Sequence, residues 1–284
     1  MRWYKKYMDV FEIPPQSIPK DIVVCIKQKI DLLHSKDPVV SVVVIAHNEE
    51  SRLMACLWSL SNFVTDYPYE IIGVDNNSTD STSELFKSAG VRYFWEDKKG
   101  PGHARQKGLE VSRGKYILCI DSDTLYPPYY LDEMVRTLSR TGVASVTASY
   151  SYVPTKGYPR FWMSIYERFR DIHLYFLSFR NPVWCVRGAV FAHLAEPAKQ
   201  IGGYRVHLER GEDGAMAFDL MEFGQLVFKR GGKTRAYTST KALGYDGIVK
   251  AFFKRAMDSI IGLRRYFFFT GDSDEIEKKK RENL

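Results

Sequence analysis

The feature of this sequence that most constrains its fold is an alternation of apolar runs and amphipathic segments between residues 39 and 126. Residues 39–46 read VVSVVVIA, a continuous β-branched run typical of a strand that is buried on both faces. Residues 51–60 follow with apolar side chains at helical spacing. Further strands are predicted at residues 70–74, 91–95 and 115–120, and further helices at residues 81–89 and 102–112. This order predicts an α/β fold with a mostly parallel central sheet flanked by helices.

The second half of the chain has a looser pattern. The predicted elements are a helix from residue 127 to about 140, a strand at 143–153, an aromatic and basic helix at 160–179, a helix at 212–222, strands at 225–229 and 234–239, and a helical region at 245–269. We therefore predict an N-terminal helical extension at residues 1–38, a central domain at 39–240 with halves 39–126 and 127–240, and a C-terminal helical region with a charged tail at 241–284.

Charge and cysteine usage narrow the class of protein. The formal net charge of +7 suits phosphorylated small molecules, an anionic membrane surface or nucleic acid. We expect no nucleic acid partner, because the sequence has no Arg/Lys repeat and no zinc-ligand spacing. The four cysteines are far apart and form no Cys-x-x-Cys pair, which indicates a reducing compartment. We see neither a secretion signal nor the roughly 20 apolar residues of a membrane span, so we expect a cytoplasmic location.

Polar clusters follow three of the predicted strands, at residues 47–50, 75–80 and 121–123. In an open parallel sheet, ligands bind beyond the carboxyl ends of the strands, so we expect these clusters to line one ligand-binding edge. Asp121 and Asp123 can hold a hard cation such as Mn²⁺ or Mg²⁺ while leaving coordination positions for diphosphate oxygens. The alternative is a turn in which an aspartate caps a helix. The two neighbouring polar clusters favour the metal.

The other polar clusters also allow two interpretations each. Asp75 is placed to accept hydrogen bonds from a base or ribose, whereas we expect Asp80 to cap the next helix. Lys98 and Lys99 precede a Gly-rich helix start that suits an anion, or they belong to a solvated charged loop.

Further candidates lie in the second half of the central domain, residues 127–240. Glu212 and Asp213 open a predicted helix, where acidic residues are stabilising, or Asp213 is a general base. His193 and His207 could complete a metal shell, but we expect them to be ordinary surface or core histidines.

These motifs form an ordered set. The runs SVVVIAHNEE at 41–50, VDNNSTD at 74–80, ARQKG at 104–108 and GKYILCIDSD at 114–123 resemble family 2 glycosyltransferases with the GT-A fold. GGY at 202–204 followed by GED at 211–213 resembles the acceptor-side pattern of that family. The resemblance covers about residues 39–239, and it implies that residues 39–240 are a GT-A catalytic domain.

The resemblance also implies a reaction and a set of roles. The reaction would be transfer of a sugar from a nucleoside-diphosphate sugar to a hydroxyl acceptor with inversion, UDP-sugar being the first expectation and GDP-sugar the second. The residues implied for the nucleotide are Ala46, Asn48, Glu49, Asp75, Lys98, Lys99 and Asp121. Those implied for the donor sugar and acceptor are Gly202, Gly203 and Glu212, with Asp123 for the divalent cation and Asp213 as the base.

The sequence departs from the family pattern at several positions. His47 stands where the family often has Tyr, Asn76 and Asn77 replace a common Asp-Gly, and Gln106 replaces a common Asn. No Gln-x-x-Arg-Trp follows Asp213, so we expect a non-processive enzyme that acts in surface glycan or glycolipid synthesis.

Two other functions stay open from the residues. One is a nucleotidyltransferase, which would need a Gly-rich basic loop where residues 47–50 stand. The other is an inactive sugar-nucleotide or membrane-binding module on the same scaffold. Residues 158–180 and 248–269 combine aromatic side chains with arginines and lysines, which predicts either peripheral membrane contact near a lipid-linked acceptor or packing within the protein.

Overall fold

The computed structural model describes residues 3–33, 36–154, 160–208 and 210–241. The strands are β1 (Val40–Ala46), β2 (Tyr69–Asp75), β3 (Arg92–Trp95), β4 (Tyr116–Asp121), β5 (Thr124–Leu125), β6 (Val143–Ala148), β7 (Tyr150–Tyr152), β8 (Phe191–Leu194), β9 (Gln225–Lys229) and β10 (Ala236–Thr238). The α-helices are α1 (Lys20–Leu33), α2 (Leu53–Leu60), α3 (Thr82–Ser88), α4 (Pro101–Val111), α5 (Tyr130–Leu138), α6 (Arg160–Arg180), α7 (Ala195–Gln200) and α8 (Glu212–Asp219). Short 3-10 helices lie at Trp3–Val10, Pro15–Ser17, Pro182–Cys185, Gly188–Val190 and Leu220–Glu222.

Seven strands form the central sheet in the order β3-β2-β1-β4-β8-β6-β9. β1 pairs in parallel with β2 and β4, and β2 pairs in parallel with β3. β8 runs antiparallel to both β4 and β6, while β6 and β9 are parallel. The predicted α/β fold with a mostly parallel sheet is confirmed. β8 is an additional strand that the apolar pattern does not predict.

The predicted strand at 143–153 is wrong in its length. The segment forms two strands, since β6 belongs to the central sheet and β7 belongs to a three-stranded sheet of order β5-β10-β7. Ser149 separates them, and its backbone N–H donates to the carbonyl of Lys229 at 3.1 Å. The chain therefore leaves one sheet and enters the other at this residue. The predicted helix at 212–222 is likewise shorter, because α8 ends at Asp219 and a 3-10 turn follows.

The chain divides into two compact units. The first comprises Met1–Ser151 and Val186–Thr238 and contains the central sheet. The N-terminal segment belongs to this unit, and Ile26 and Ile30 of α1 are fully buried. Residues 38, 126 and 240 remain predicted domain boundaries.

The second unit comprises Tyr152–Cys185 and Ser239–Leu284. Within it, the buried carboxylate of Glu167 on α6 accepts from the backbone N–H of Tyr152 at 2.8 Å and from Arg160 at 3.0 Å. The predicted helical region at 245–269 lies outside the described residues. Of the helices that are described, none combines the length and the apolar character needed to cross a bilayer.

Candidate donor and catalytic site

The carboxyl ends of β1, β2 and β4 lie side by side at one edge of the central sheet. Ala46, buried at the end of β1, is opposite Asp75 in the β1–β2 register, and Ile45 is opposite Asp121 in the β1–β4 register. The three polar clusters that follow these strands therefore lie along the edge where parallel sheets bind ligands.

The loops after β1 and β2 are bound to each other. Asn48 has a left-handed backbone, with φ of 53°, and its side-chain oxygen accepts from the N–H of Thr79 at 2.8 Å. The backbone N–H of Asn48 donates to the Ser78 hydroxyl at 2.9 Å. Glu49 is buried, and its carboxylate forms an ion pair with Arg52 at 3.0 Å. These contacts hold Asn48 and Glu49 in fixed positions beside the sheet edge.

Asp75 is fully buried, and its two carboxylate oxygens bond to its own loop. Oδ1 accepts from the backbone N–H of Ser78 at 2.9 Å, and Oδ2 accepts from the Ser83 hydroxyl at 2.5 Å. Asp80 accepts from the backbone N–H of Thr82 at the start of α3, at 3.0 Å. Asp80 thus supports the first turn of the helix. Asp75 supports the preceding turn, and its contact with a nucleotide stays a prediction.

The loop that carries Lys98 and Lys99 is fixed by Asn76, one of the residues that departs from the family pattern. The Asn76 amide donates to the carbonyl of Lys98 at 2.6 Å, and its side-chain oxygen accepts from the N–H of Gly100 at 2.8 Å. The side chains of both lysines are exposed. His47 Nδ1 lies 2.7 Å from the carbonyl oxygen of Asn76. Asn76 therefore joins the loop after β1, its own loop after β2 and the loop that carries Lys98 and Lys99.

Arg105 is a central residue of the site that the sequence analysis did not include among its candidates. It lies on α4, its side chain is 1% exposed, and its Nη2 donates to Asp121 Oδ1 at 2.6 Å. Nη1 donates to the carbonyl of Ile120 at 3.1 Å. Nε lies 3.4 Å from Asp213 Oδ1, and neither atom has a hydrogen-bond partner among the described residues. One guanidinium therefore connects the end of β4 with the start of α8.

Asp121 and Asp123 both remain partly exposed at the end of β4. Partial burial raises the pKa of Asp121 to about 6, against the opposing charge of Arg105, and Asp123 and Glu212 add to the rise. The side chain of Asp121 keeps 39% of its surface exposed. Asp123 Oδ1 accepts from the hydroxyls of Thr124 at 3.0 Å and Thr238 at 3.3 Å.

Asp213 lies in the first turn of α8, after Gly211 with a φ of 90°. Asp213 and the preceding Glu212 are both buried. Burial raises the pKa of Asp213 to about 8, Arg105 opposes the rise, and Glu212 and Asp121 add to it. Gly188 packs against the carboxylate of Asp213 and the guanidinium of Arg105 so closely that no β-carbon would fit there.

Gly202 and Gly203 form a turn with φ values of 87° and 85°, a conformation that favours glycine. Gln106 on α4 holds this turn, because its side-chain oxygen accepts from the backbone N–H of Tyr204 at 2.8 Å. A β-carbon on Gly203 would collide with the Gln106 amide. The Gln that departs from the family pattern thus has a structural contact with the Gly-Gly-Tyr segment.

The two candidate histidines occupy different environments. His193 on β8 is fully buried, and its Nε2 lies 3.0 Å from the Tyr204 hydroxyl. Burial lowers the pKa of His193 to about 4. His207 is exposed. His193 is therefore a core histidine, as expected.

The residues present fit a divalent cation that is held jointly with a substrate. In the part of the chain that the structure describes, no group of three or more His, Cys, Asp or Glu side chains is placed to hold a metal by itself. Asp121 and Asp123 are partly exposed carboxylates, and their like charge helps to raise the pKa of Asp121. A cation bound by one or two carboxylates and completed by phosphates and water matches such a donor set. Asp123 would hold the ion, which would supply positive charge for a diphosphate.

Comparison with known proteins identifies the family. The sequence model of glycosyl transferase family 2 matches residues 41–193, which is more than half of the chain. The chain belongs to glycosyl transferase family 2. The family match runs from β1 through the polar strand ends to β8, so it includes the sheet edge formed by the ends of β1, β2 and β4.

The chain is similar to two curated relatives over part of its length. It is 34% identical over 105 residues to EpsH of Bacillus subtilis, a match that covers 35% of this chain and 30% of EpsH. It is 31% identical over 143 residues to the dolichyl-phosphate beta-glucosyltransferase of Dictyostelium discoideum, covering 43% of this chain and 40% of the relative. The chain thus spans less than half the length of these relatives.

A solved structure extends the similarity to most of the chain. The mannosyltransferase PcManGT from Pyrobaculum calidifontis, in complex with GDP-Man and Mn²⁺, matches with a TM-score of 0.56 and 18% identity. The match covers 84% of this chain and 72% of that protein. At this identity the similarity supports the shared GT-A fold of a family 2 protein.

Proposed function

We propose that this chain is an inverting glycosyltransferase that moves a sugar from a nucleoside-diphosphate sugar to a hydroxyl acceptor. The observation that carries the proposal is the buried guanidinium of Arg105, which joins Asp121 at the donor edge to Asp213 at the start of α8. A single displacement at the anomeric carbon requires a base that takes the proton of the acceptor hydroxyl, and Asp213 is a buried carboxyl that one guanidinium links to the donor edge.

The donor would lie along the ends of β1, β2 and β4. Ala46, Asn48 and Glu49 would border the nucleotide, Asp75 would face the base, and Asp121 the ribose. Lys98 and Lys99, exposed on a loop that Asn76 fixes, would contribute positive charge near the phosphates. Asp123 would hold Mn²⁺ or Mg²⁺, and the cation would supply positive charge for the diphosphate.

The acceptor would lie near Gly202, Gly203 and Glu212, with its hydroxyl at Asp213. In the displacement, the acceptor oxygen bonds to the anomeric carbon while the bond to the diphosphate breaks. The hydroxyl proton moves to Asp213, and the electron pair of the broken bond leaves with the nucleoside diphosphate. Because burial raises the pKa of Asp213 to about 8, its ionised form, which is populated toward pH 8, accepts a proton more readily than an ordinary aspartate does.

Asp213→Asn tests the base. The variant should bind donor and metal as the wild type does and lose about 10²- to 10⁴-fold in transfer. Asp219→Asn on the same helix, where the carboxylate pairs with Arg205 at 2.7 Å, is the matched control and should keep transfer. Transfer by Asp213→Asn within a few-fold of the wild type would refute the assignment.

Asp123→Asn tests the metal-binding role. It should abolish metal-dependent donor binding without unfolding the protein, whereas Asp132→Asn on α5, where the carboxylate pairs with Arg136 at 2.8 Å, should not. Donor binding by Asp123→Asn at wild-type strength would exclude Asp123 as the ligand.

A thermal-shift panel identifies the donor. We would test UDP-sugars first and GDP-sugars second. GDP-sugars are included because the solved structure of PcManGT contains GDP-Man. At a hundredfold its dissociation constant, the correct donor with Mn²⁺ should add about 2.7 kcal/mol of stability. Metal-dependent hydrolysis of that donor separates an active enzyme from an inactive sugar-nucleotide module, because only the active enzyme releases the sugar.

For the acceptor we propose a glycan or lipid-linked hydroxyl, with peripheral contact to an anionic membrane through α6. Phe169, Ile172 and Phe179 on this helix are 57%, 42% and 67% exposed, and Arg168, directly before Phe169, is exposed as well. Two other arginines are paired with acidic residues of the same helix, namely Arg160 with Glu167 and Arg170 with Asp171. The exposed surface is therefore aromatic and cationic, which suits a headgroup layer.

Sedimentation with anionic vesicles tests the membrane contact. The protein should pellet at low salt, less so at high salt, and the double variant Phe169→Ser, Phe179→Ser should remain in the supernatant. A wild-type protein that stays in the supernatant at low salt would favour a soluble glycan acceptor. With a lipid-linked acceptor, the enzyme would serve surface glycan or glycolipid synthesis, and the similarity to a dolichyl-phosphate beta-glucosyltransferase supports this direction.

A further inference from the structure

Asp123 is held by two threonine hydroxyls from neighbouring strands. Thr124 on β5 and Thr238 on β10 are opposite each other in the antiparallel register, and both hydroxyls donate to Asp123 Oδ1. Thr124 is the next residue in the chain, whereas Thr238 reaches Asp123 only because β10 pairs with β5. The orientation of the Asp123 carboxylate therefore depends on where β10 lies.

β10 is in turn packed against the N-terminal 3-10 helix Trp3–Val10. The ring of Tyr237, next to Thr238, lies 4.3 Å from the ring of Tyr4 and 5.7 Å from that of Trp3, centroid to centroid. On its other side the helix packs on α2, where the rings of Tyr7 and Trp58 are 5.3 Å apart. The 3-10 helix thus connects α2 of the main sheet layer with the strand that carries Thr238.

The same N-terminal segment reaches the nucleotide side of the site. Glu12 has a left-handed backbone, with φ of 62°, and its N–H donates to the carbonyl of Ser51 at 2.9 Å. The Glu12 carboxylate pairs with Arg52 at 3.1 Å, and Arg52 pairs with Glu49 at 3.0 Å. The Glu12 end of residues 3–12 is therefore one side chain away from Glu49, and the Trp3–Tyr4 end reaches Asp123 through Tyr237 and Thr238 of β10.

We propose that residues 3–12, which lie outside the 41–193 region matched by the family, position Asp123 and Glu49, with Thr238 as the positioning residue for Asp123. The inference rests on the proposed function in one respect, namely that Asp123 is the cation ligand. Hydrogen bonds to a ligating carboxylate fix its orientation, and removing such partners typically lowers metal affinity by about 10- to 100-fold. The N-terminal segment would then be part of the donor site of this chain.

The test is titration of the full chain with Mn²⁺ in a fixed excess of UDP or GDP, whose diphosphate completes the ligand shell of the cation, with protein-bound Mn²⁺ measured by electron paramagnetic resonance against a protein-free blank. Thr238→Val should weaken binding by about 10- to 100-fold. Thr238→Ser, which keeps the hydroxyl, should restore it. Tyr4→Leu should weaken binding in the same direction, because it loosens β10. Asp123→Asn gives the background signal of a protein that lacks the proposed cation ligand. Urea unfolding of each variant shows whether that variant is folded.

Two control variants separate positioning from general loss of stability. Thr147→Val removes a fully buried strand hydroxyl that has no hydrogen-bond partner among the described residues, so Mn²⁺ binding should not change. Phe63→Leu removes a buried aromatic ring comparable in size to that of Tyr4. Phe63 packs on Tyr69 and Tyr130, so this variant should lower the stability of the protein without changing its affinity for Mn²⁺.

Several outcomes would overturn the inference. If Thr238→Val and Tyr4→Leu bind Mn²⁺ like the wild type, residues 3–12 do not position Asp123, while the proposed function stands. If Thr238→Ser binds as weakly as Thr238→Val, the hydroxyl is not the contact that matters. If wild-type binding does not depend on Asp123, the inference and the metal assignment both fail, and the role of Asp213 in transfer is still tested separately.

Discussion

Replacing Arg105 by methionine removes the guanidinium that is bonded to Asp121 and paired with Asp213. Arg105 is 1% exposed, so its loss leaves the buried carboxyl group of Asp213 and the partly exposed one of Asp121 without that countercharge. Removing one partner of a buried ion pair typically costs about 3–5 kcal/mol of stability. We expect a loss in this range at pH 8, where the wild-type Asp121, with a pKa of about 6, is ionised.

The loss should shrink at acidic pH, and the sign follows from the pKa values. Arg105 lowers the pKa of both carboxyl groups, so without it they protonate at a higher pH than about 6 and about 8. At pH 5 the carboxyl groups of Asp121 and Asp213 are therefore both neutral in Arg105→Met. In the wild type they are also mostly protonated at this pH, so Arg105 has lost most of its ionic interaction with them. We therefore expect the destabilisation to fall to about 1 kcal/mol, the net value of an ordinary hydrogen bond.

Urea unfolding at pH 5 and pH 8 measures both values. Arg136→Met is the matched control, because Arg136 is 62% exposed and its ion pair with Asp132 on α5 should contribute about 0.5 kcal/mol at either pH. A loss for Arg105→Met that is equal at the two pH values, or below about 1 kcal/mol at pH 8, would show that Arg105 does not hold these carboxylates.

Three further predictions concern the same region. The contribution of Asp213 to the free energy of unfolding should decline as pH rises from about 4 through 8, because folded Asp213 keeps a proton that the unfolded chain releases, and the difference between the wild type and Asp213→Asn in urea titrations measures it. The contribution of His193 has the opposite sign and should decline by up to about 3 kcal/mol as pH falls from 6.5 through 4, because His193 is buried neutral, and the difference between the wild type and His193→Gln measures it. Gly188→Ala should cost about 1–3 kcal/mol by forcing a methyl group against Asp213 and Arg105, whereas Gly214→Ala in α8, which meets open space, should not destabilise.

The donor half of the fold could be predicted because each element is decided by its own residues. β1 is buried along nearly its whole length, so a continuous β-branched run suffices to identify it. β8 has only four residues, and its strand conformation depends on the two strands between which it lies. Nothing local in its sequence distinguishes it from a loop, so the pattern does not predict it.

The site was predictable where acidic residues follow buried strands, and less so where a residue acts through distant contacts. A single arginine on a helix normally points to solvent, and Arg105 is buried only because Gly188 and Asp213 pack against it in the folded chain. Its position inside the ARQKG run was the one signal available. Thr238 carries no motif, and its importance comes from the pairing of β10 with β5.

The place of β8 in the central sheet has a consequence for how the chain folds. The first four strands of the chain, β1 to β4, can pair with one another soon after they are synthesised. Strands β6 and β9 attach to this group only through β8. The pairing of β8 with β4 joins Leu194 to Tyr116, which are far apart in the sequence. Pairing over such a sequence separation is slow. Until β8 arrives, β4 presents an open apolar edge, which is a template for association with other chains. A nascent or truncated chain that stops before residue 191 should therefore aggregate, although it contains nearly all of the donor-side residues.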